Sequence, residues 1–142
     1  MADKPMQETI AYLMMQVSRA HRHKVSTALA EFGLHIGQEI LLAYLWETDG
    51  LIQSELAELM MVEPPTLTKM LNRMQQVGLL ERCRDCEDGR AYRVYLTDKG
   101  RELEEPVTQA WNTVNKQILQ DLTLEEQLLF RRLLLQIRDN LS

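Results

Sequence analysis

The sequence predicts a mostly helical chain carrying one small β-hairpin, and three observations lead there. Apolar residues recur at intervals of three and four over most of the length, the period of an amphipathic helix. Between Leu79 and Leu96 the pattern changes to two short strand-like runs around a polar loop. The 142 residues, 45% of them hydrophobic, suffice for one core and fit a single domain over 1–142.

The elements follow in order. Ile10, Leu13, Met14, Val17, Ala20, Val25, Ala28, Leu29 and Phe32 mark a first long helix, stopped by Gly33. Ile36 to Trp46 reads as a second helix, apolar on more than one side and therefore buried, and Asp49 and Gly50 break the chain after it. Glu55 to Met60 is a short helix packing through Leu56, Ala57 and Leu59. Thr66 to Val77 is a longer one, with Leu67, Met70, Leu71, Met74 and Val77 inward; Pro64 and Pro65 fall where a helix start tolerates proline.

Leu79–Arg84 and Tyr92–Leu96 make the hairpin, the second strand alternating Tyr92, Val94 and Leu96 against Arg93 and Tyr95. Thr97 caps a long helix through Leu103, Val107, Trp111, Val114 and Ile118, with Pro106 as the site of a kink. Thr123 and Glu126 form a capping box for a last helix bearing Leu128, Leu129, Leu133, Leu134 and Ile137.

The net charge of −5, from 16 basic and 21 acidic residues, argues at first against a polyanionic partner. Its distribution argues otherwise. From Pro64 to Tyr95 six basic residues (Lys69, Arg73, Arg82, Arg84, Arg90 and Arg93) face four acidic ones, a balance of +2; the remainder carries −7. Met1 to Ile10 lacks the charged and apolar blocks of a signal peptide, and no apolar run reaches the roughly 18 residues of a membrane span. The expectation is a cytoplasmic protein with no membrane partner. No phosphate-cradling glycine loop, nucleophile elbow or metal-ligand cluster is present, so neither an enzyme nor a bound cofactor or metal is expected.

Two short helices separated by Met61, Val62 and Glu63, the second followed by a basic hairpin, have the layout of a winged helix-turn-helix. The first helix braces the second, leaving Thr66, Thr68, Lys69, Asn72 and Arg73 on a face free to enter a major groove about 12 Å wide. Ser54 belongs to the same candidate surface. Arg84 and Arg90 on the hairpin suit a narrow, electronegative minor groove, with Asp85 and Asp88 holding the arginine side chains by pairing within the loop. Two plainer readings stay open: a solvated helix face, and an Asp- and Gly-rich turn with no partner.

The successive segments Ser54-Glu55-Leu56-Ala57, Glu63-Pro64-Pro65-Thr66-Leu67-Thr68-Lys69, Gly78-Leu79-Leu80-Glu81-Arg82, Asp85-Cys86-Glu87-Asp88-Gly89-Arg90 and Leu96-Thr97-Asp98-Lys99-Gly100 resemble the motifs of the MarR family of transcription regulators. Gly33-Leu34 and Gln38 extend the similarity over nearly the whole chain. Three positions depart from it: the family usually has Thr or Ser at Ile52, Pro at Cys86 and Arg at Gly89. The first departure loses a helix cap and the last a wing-tip charge, while Arg90 still matches the final wing arginine.

The resemblance implies a homodimer, interlocked through helices at about 6–32 and 101–142, with the winged helix-turn-helix at about 36–97. It implies a repressor that binds double-stranded, pseudo-palindromic operator DNA and is released by a small lipophilic or aromatic-acid effector. Tyr12, His21, His35, Tyr44 and Trp46 are the candidates to line the effector pocket. Cys83 and Cys86 form a CxxC on the wing, which leaves a thiol- or metal-responsive regulator as one alternative. A winged-helix module that binds protein is the other. The peroxide-sensing branch of the family places its cysteine near the first helix, and no cysteine precedes Cys83 here.

Overall fold

The computed structural model describes residues 3–142. Its organising element is α2 (Gln38–Glu47), whose Leu41, Leu42 and Leu45 are fully buried and which touches most of what surrounds it: α3 (Gln53–Met60), β3 (Tyr92–Leu96) and α6 (Glu104–Ile118). The sequence places its start at Ile36, two residues early. Gly37 has φ 98°, outside helical geometry, and side chains of the first turn reach back to the preceding loop: Gln38 Oε1 accepts from His35 N at 3.0 Å, and the Glu39 carboxylate accepts from Gly37 N.

α1 (Ile10–Ala30) begins where Thr9 accepts the Tyr12 N–H at 3.2 Å. Phe32 lies beyond it in the turn, where Leu34 N returns to Leu29 O. Only the C-terminal part of α1 enters the core, through Val25 and Leu29. Ile10, Leu13, Met14 and Val17 stay exposed.

After α2 the chain forms a two-residue strand, β1 (Leu51–Ile52), then α3 and α4 (Pro64–Gln76). Both helices start two residues before the positions the periodicity gives, because Gln53, Ser54 and the two prolines carry no apolar signal yet adopt helical geometry. Met61, at φ 53°, makes the turn between them, and Val62 N donates back to Ala57 O at 3.1 Å. Leu56, Leu67, Leu71 and Met74 meet the core, whereas Leu59 and Val77, both expected inside, are exposed.

The hairpin is β2 (Leu80–Arg84) with β3, paired from Leu80↔Leu96 to Arg84↔Tyr92. β1 adds itself to the far side of β3, so the sheet has three antiparallel strands ordered β1-β3-β2. Val94, in the middle strand, is fully buried, while Tyr92 and Tyr95 are exposed.

Past β3, Thr97 does cap a helix, accepting from Gly100 N, but that helix is the short α5 (Asp98–Glu102). The break at Leu103 precedes Pro106 by three residues. Proline has no N–H for the Glu102 carbonyl four residues back, so the interruption falls one turn upstream of the ring. Gly100 is fixed by space: a Cβ there would collide with the Leu79 carbonyl oxygen. Its own carbonyl accepts from Trp46 Nε1 at 2.9 Å, tying α5 to α2.

α7 (Leu124–Leu141) opens with the expected capping box, Glu126 N donating to Thr123 Oγ1 and Thr123 N to the Glu126 carboxylate. Within the described residues α7 buries none of its side chains: Leu124, Leu128, Leu129, Leu133, Leu134 and Leu141 are 41–77% exposed.

Candidate nucleic-acid interface and effector cleft

α4 divides cleanly into two faces. Leu67, Leu71 and Met74 are fully buried on one side, and Thr66, Lys69, Asn72 and Arg73 are exposed on the other. Thr68 is half-buried and works within the motif, donating to Pro64 O at 3.0 Å and accepting from Gln53 Nε2 at 3.2 Å, which ties the first turns of α3 and α4 together. The face therefore presents two cations and two short polar side chains on a helix rigidly backed by the core.

A groove of about 800 Å³ lies between this motif and the wing. Ser54, Glu58 and Pro64 line one side and Asp88, Arg90 and Tyr92 the other, so the structure brings together three of the expected contact residues, Ser54, Asp88 and Arg90. Arg84 lies apart, at the end of β2, with its guanidinium 5.8 Å from the centre of the Tyr92 ring.

The wing acids do not hold these arginines. Asp85 pairs with Arg93 at 3.5 Å, and Arg93 also donates to Gly50 O at 2.8 Å, which anchors the base of the wing to the β1 side. Asp88 accepts the backbone N–H of Arg90 at 3.0 Å, an Asx turn that shapes the tip. Among the described residues neither Arg84 nor Arg90 is in an ion pair, so both guanidinium groups stay available to an external anion.

Arg82 was absent from the candidate contacts. It donates Nε to Gln75 Oε1 at 3.0 Å and Nη2 to Asn72 Oδ1, joining β2 to the exposed side of α4. Its sequence signals are its place at the end of Gly78-Leu79-Leu80-Glu81-Arg82 and its charge within the basic stretch from Pro64 to Tyr95.

The five pocket candidates do not converge on one cavity. Trp46 lines a cleft of about 380 Å³ between α2 and α6, opposite Trp111. His21 stands edge-on to the other side of Trp111, with ring centres 6.1 Å apart. Tyr44 donates its hydroxyl to Leu59 O at 3.1 Å, His35 is exposed beside the first turn of α2, and Tyr12 sits half-buried near the start of α1. The sequence shows Trp111 only as part of the apolar stripe of the helix after Thr97, and Glu39 carries no periodic signal at all. Glu39 also lines the cleft, only 4% exposed, and burial pushes its carboxyl above the usual carboxylate range despite the backbone N–H groups it accepts.

Cys83, in β2 opposite Arg93, and Cys86, in the loop, are both exposed free thiols. Among the described residues no group of three or more His, Cys, Asp or Glu side chains is arranged to hold a metal ion.

A helix-turn-helix whose second helix keeps a polar face clear, flanked by a three-stranded wing, defines a winged-helix DNA-binding transcription regulator. The chain belongs to the MarR family, whose model matches residues 36–92. It is 29% identical over 125 residues to the HTH-type transcriptional repressor Rv2887 of Mycobacterium tuberculosis, covering 88% of this chain and 90% of that one. It is 30% identical over 120 residues to the organic hydroperoxide resistance transcriptional regulator of Bacillus subtilis, covering 82% of each. The S. aureus MepR–DNA complex superposes with a TM-score of 0.88 at 25% identity, covering 93% of this chain and 98% of that one. No helix among the described residues is long and apolar enough to cross a membrane.

Proposed function

We propose that this protein is a homodimeric repressor that binds a pseudo-palindromic operator and is released by a small-molecule effector. The observation that carries the DNA half is the exposed face of α4, with Lys69 and Arg73, standing beside the groove that holds Ser54 and Arg90. α4 enters the major groove through Thr66, Lys69 and Arg73, and Arg90 reaches the adjacent minor groove. Thr68 and Asn72 act from within the motif, held by Gln53 and Arg82.

The dimer is supported by α7. Six leucines at 41–77% exposure on one helix are a surface that needs covering, since each fully buried leucine contributes about 1.5–3 kcal/mol. Ile10, Leu13, Met14 and Val17 of α1 are exposed as well. A two-fold symmetric pair covers both surfaces at once and presents two α4 helices to two half-sites.

Selection of genomic fragments by the purified protein tests this reading. Enrichment of a few inverted-repeat sequences supports it, and recovery of no fragment above background contradicts it.

A further inference from the structure

The cleft between α2 and α6 has an unusual lining for a family whose resemblance implies aromatic-acid effectors. Two indoles, Trp46 and Trp111, share it with three carboxylates, the buried Glu39 and the exposed Glu47 and Glu104. Among the described residues that line it, none is a lysine or arginine. His21, edge-on to Trp111, is the basic side chain whose charge acts on the Glu39 carboxyl.

An anion entering this space meets three carboxyl groups and no lysine or arginine on its lining. A cation meets the opposite: the indoles attract it, and the carboxylates add a Coulomb attraction, strengthened by burial at Glu39. The volume, about 380 Å³, falls within the range of small-molecule sites. Burial disfavours the Glu39 anion, and a cation beside it favours the charged form.

We propose that the effector is a lipophilic organic cation, held between Trp46 and Trp111 and neutralised by Glu39, Glu47 and Glu104. This rests on the reading of the chain as an effector-released regulator and replaces the aromatic acid with the opposite charge. The route to the DNA face is short. Trp46 is hydrogen-bonded to Gly100 O, and α2 packs on both α3 and α6, so an occupant that separates α2 from α6 shifts the helix-turn-helix relative to the long helices.

Trp46 and Trp111 are the chain's two tryptophans, so its intrinsic fluorescence reports on this cleft directly. The full-length protein is titrated with tetraphenylphosphonium and with tetraphenylborate, which share a shape and differ in the sign of their charge. Saturable quenching is expected with the phosphonium at a Kd at least about tenfold below that of the borate. In the double variant Glu47→Gln/Glu104→Gln, at two exposed positions, that preference shrinks by about threefold or more. Equal or tighter binding of the borate, an unchanged preference in the variant, or no quenching by either ion overturns the proposal. The same preparation is titrated with operator DNA, without and with the phosphonium. A protein that binds DNA but keeps its affinity when the phosphonium is added refutes the cation alone, whereas one that binds no DNA refutes the regulator reading beneath it.

Discussion

Arg82 and Asn72 are hydrogen-bonded, guanidinium Nη2 to amide oxygen, across the junction of the wing and the recognition helix. With the second bond to Gln75, the pair makes one rigid body of the two elements that address DNA. Arg82→Ala is expected to weaken operator binding about tenfold by loosening that alignment, at a cost in orientation rather than charge. The check is the salt dependence: the log–log slope stays within about half a unit of wild type, whereas loss of a phosphate contact lowers it by about one.

Glu39 gives the protein a pH-dependent stability of predictable sign. Its carboxyl titrates above the usual range in the folded chain because burial disfavours the anion. A folded-state pKa above the unfolded one means that the native state holds the proton longer, so this group favours folding at low pH and that contribution is lost as pH rises through the interval between the two values. Glu39→Gln keeps an acceptor for Gly37 N and removes the charge. It is expected to raise Tm at pH 7, with the gain shrinking as the pH falls toward 4, when melting curves are recorded across that range.

Gly100→Ala places a methyl group against the Leu79 carbonyl, a backbone atom that cannot yield as a flexible side chain would. A loss of about 3 kcal/mol is expected, at the upper end for overpacking, measured as a lowered midpoint in urea. Gly89→Ala, at a wing position where nothing lies within 4 Å of the added carbon, is expected to leave that midpoint within about 0.5 kcal/mol of wild type.

Leu129→Glu combined with Leu133→Glu puts two charges on the exposed face of α7. Sedimentation is expected to show a monomer in place of a dimer, with operator affinity reduced at least about a hundredfold because two half-sites no longer act together. A wild-type protein that sediments as a monomer at micromolar concentration contradicts the proposed assembly.

The helices are legible because their apolar stripes repeat every three or four residues and because Thr97 and Thr123 announce helix starts with a capping hydroxyl, whereas the Thr9 cap emerges only in the structure. Where packing or backbone geometry decides, the sequence was mute. Two residues, Leu51 and Ile52, carry no period, and β1 exists only because β3 offers an edge to pair with. The α5–α6 break shows the reach of a missing N–H: Pro106 is visible in the sequence, but the interruption falls upstream at Leu103.

The site divides in the same way. The polar face of α4 follows from helical spacing, and the nearness of the wing from the basic hairpin that directly follows the helix. Choosing pocket residues by aromatic character puts Trp46 on a cleft but does not join it to Tyr12, His35 or Tyr44, because convergence depends on how helices cross. Glu39 was invisible since a hydrophobic pattern has no place for a buried carboxylate. The wing acids were assigned to Arg84 and Arg90 on charge, yet the loop's own turn claims Asp88 and Arg93 claims Asp85.

The central claim is that Arg90 and the exposed face of α4 hold operator DNA. Fluorescence anisotropy on a selected fragment, with salt varied from 50 to 200 mM (about the range over which phosphate contacts are lost), tests it most directly. The expected result is an affinity that falls steeply and linearly on logarithmic axes, with Arg90→Ala weakening it and lowering the slope by about one. Binding that ignores salt, or an Arg90→Ala titration that overlays wild type, would contradict it.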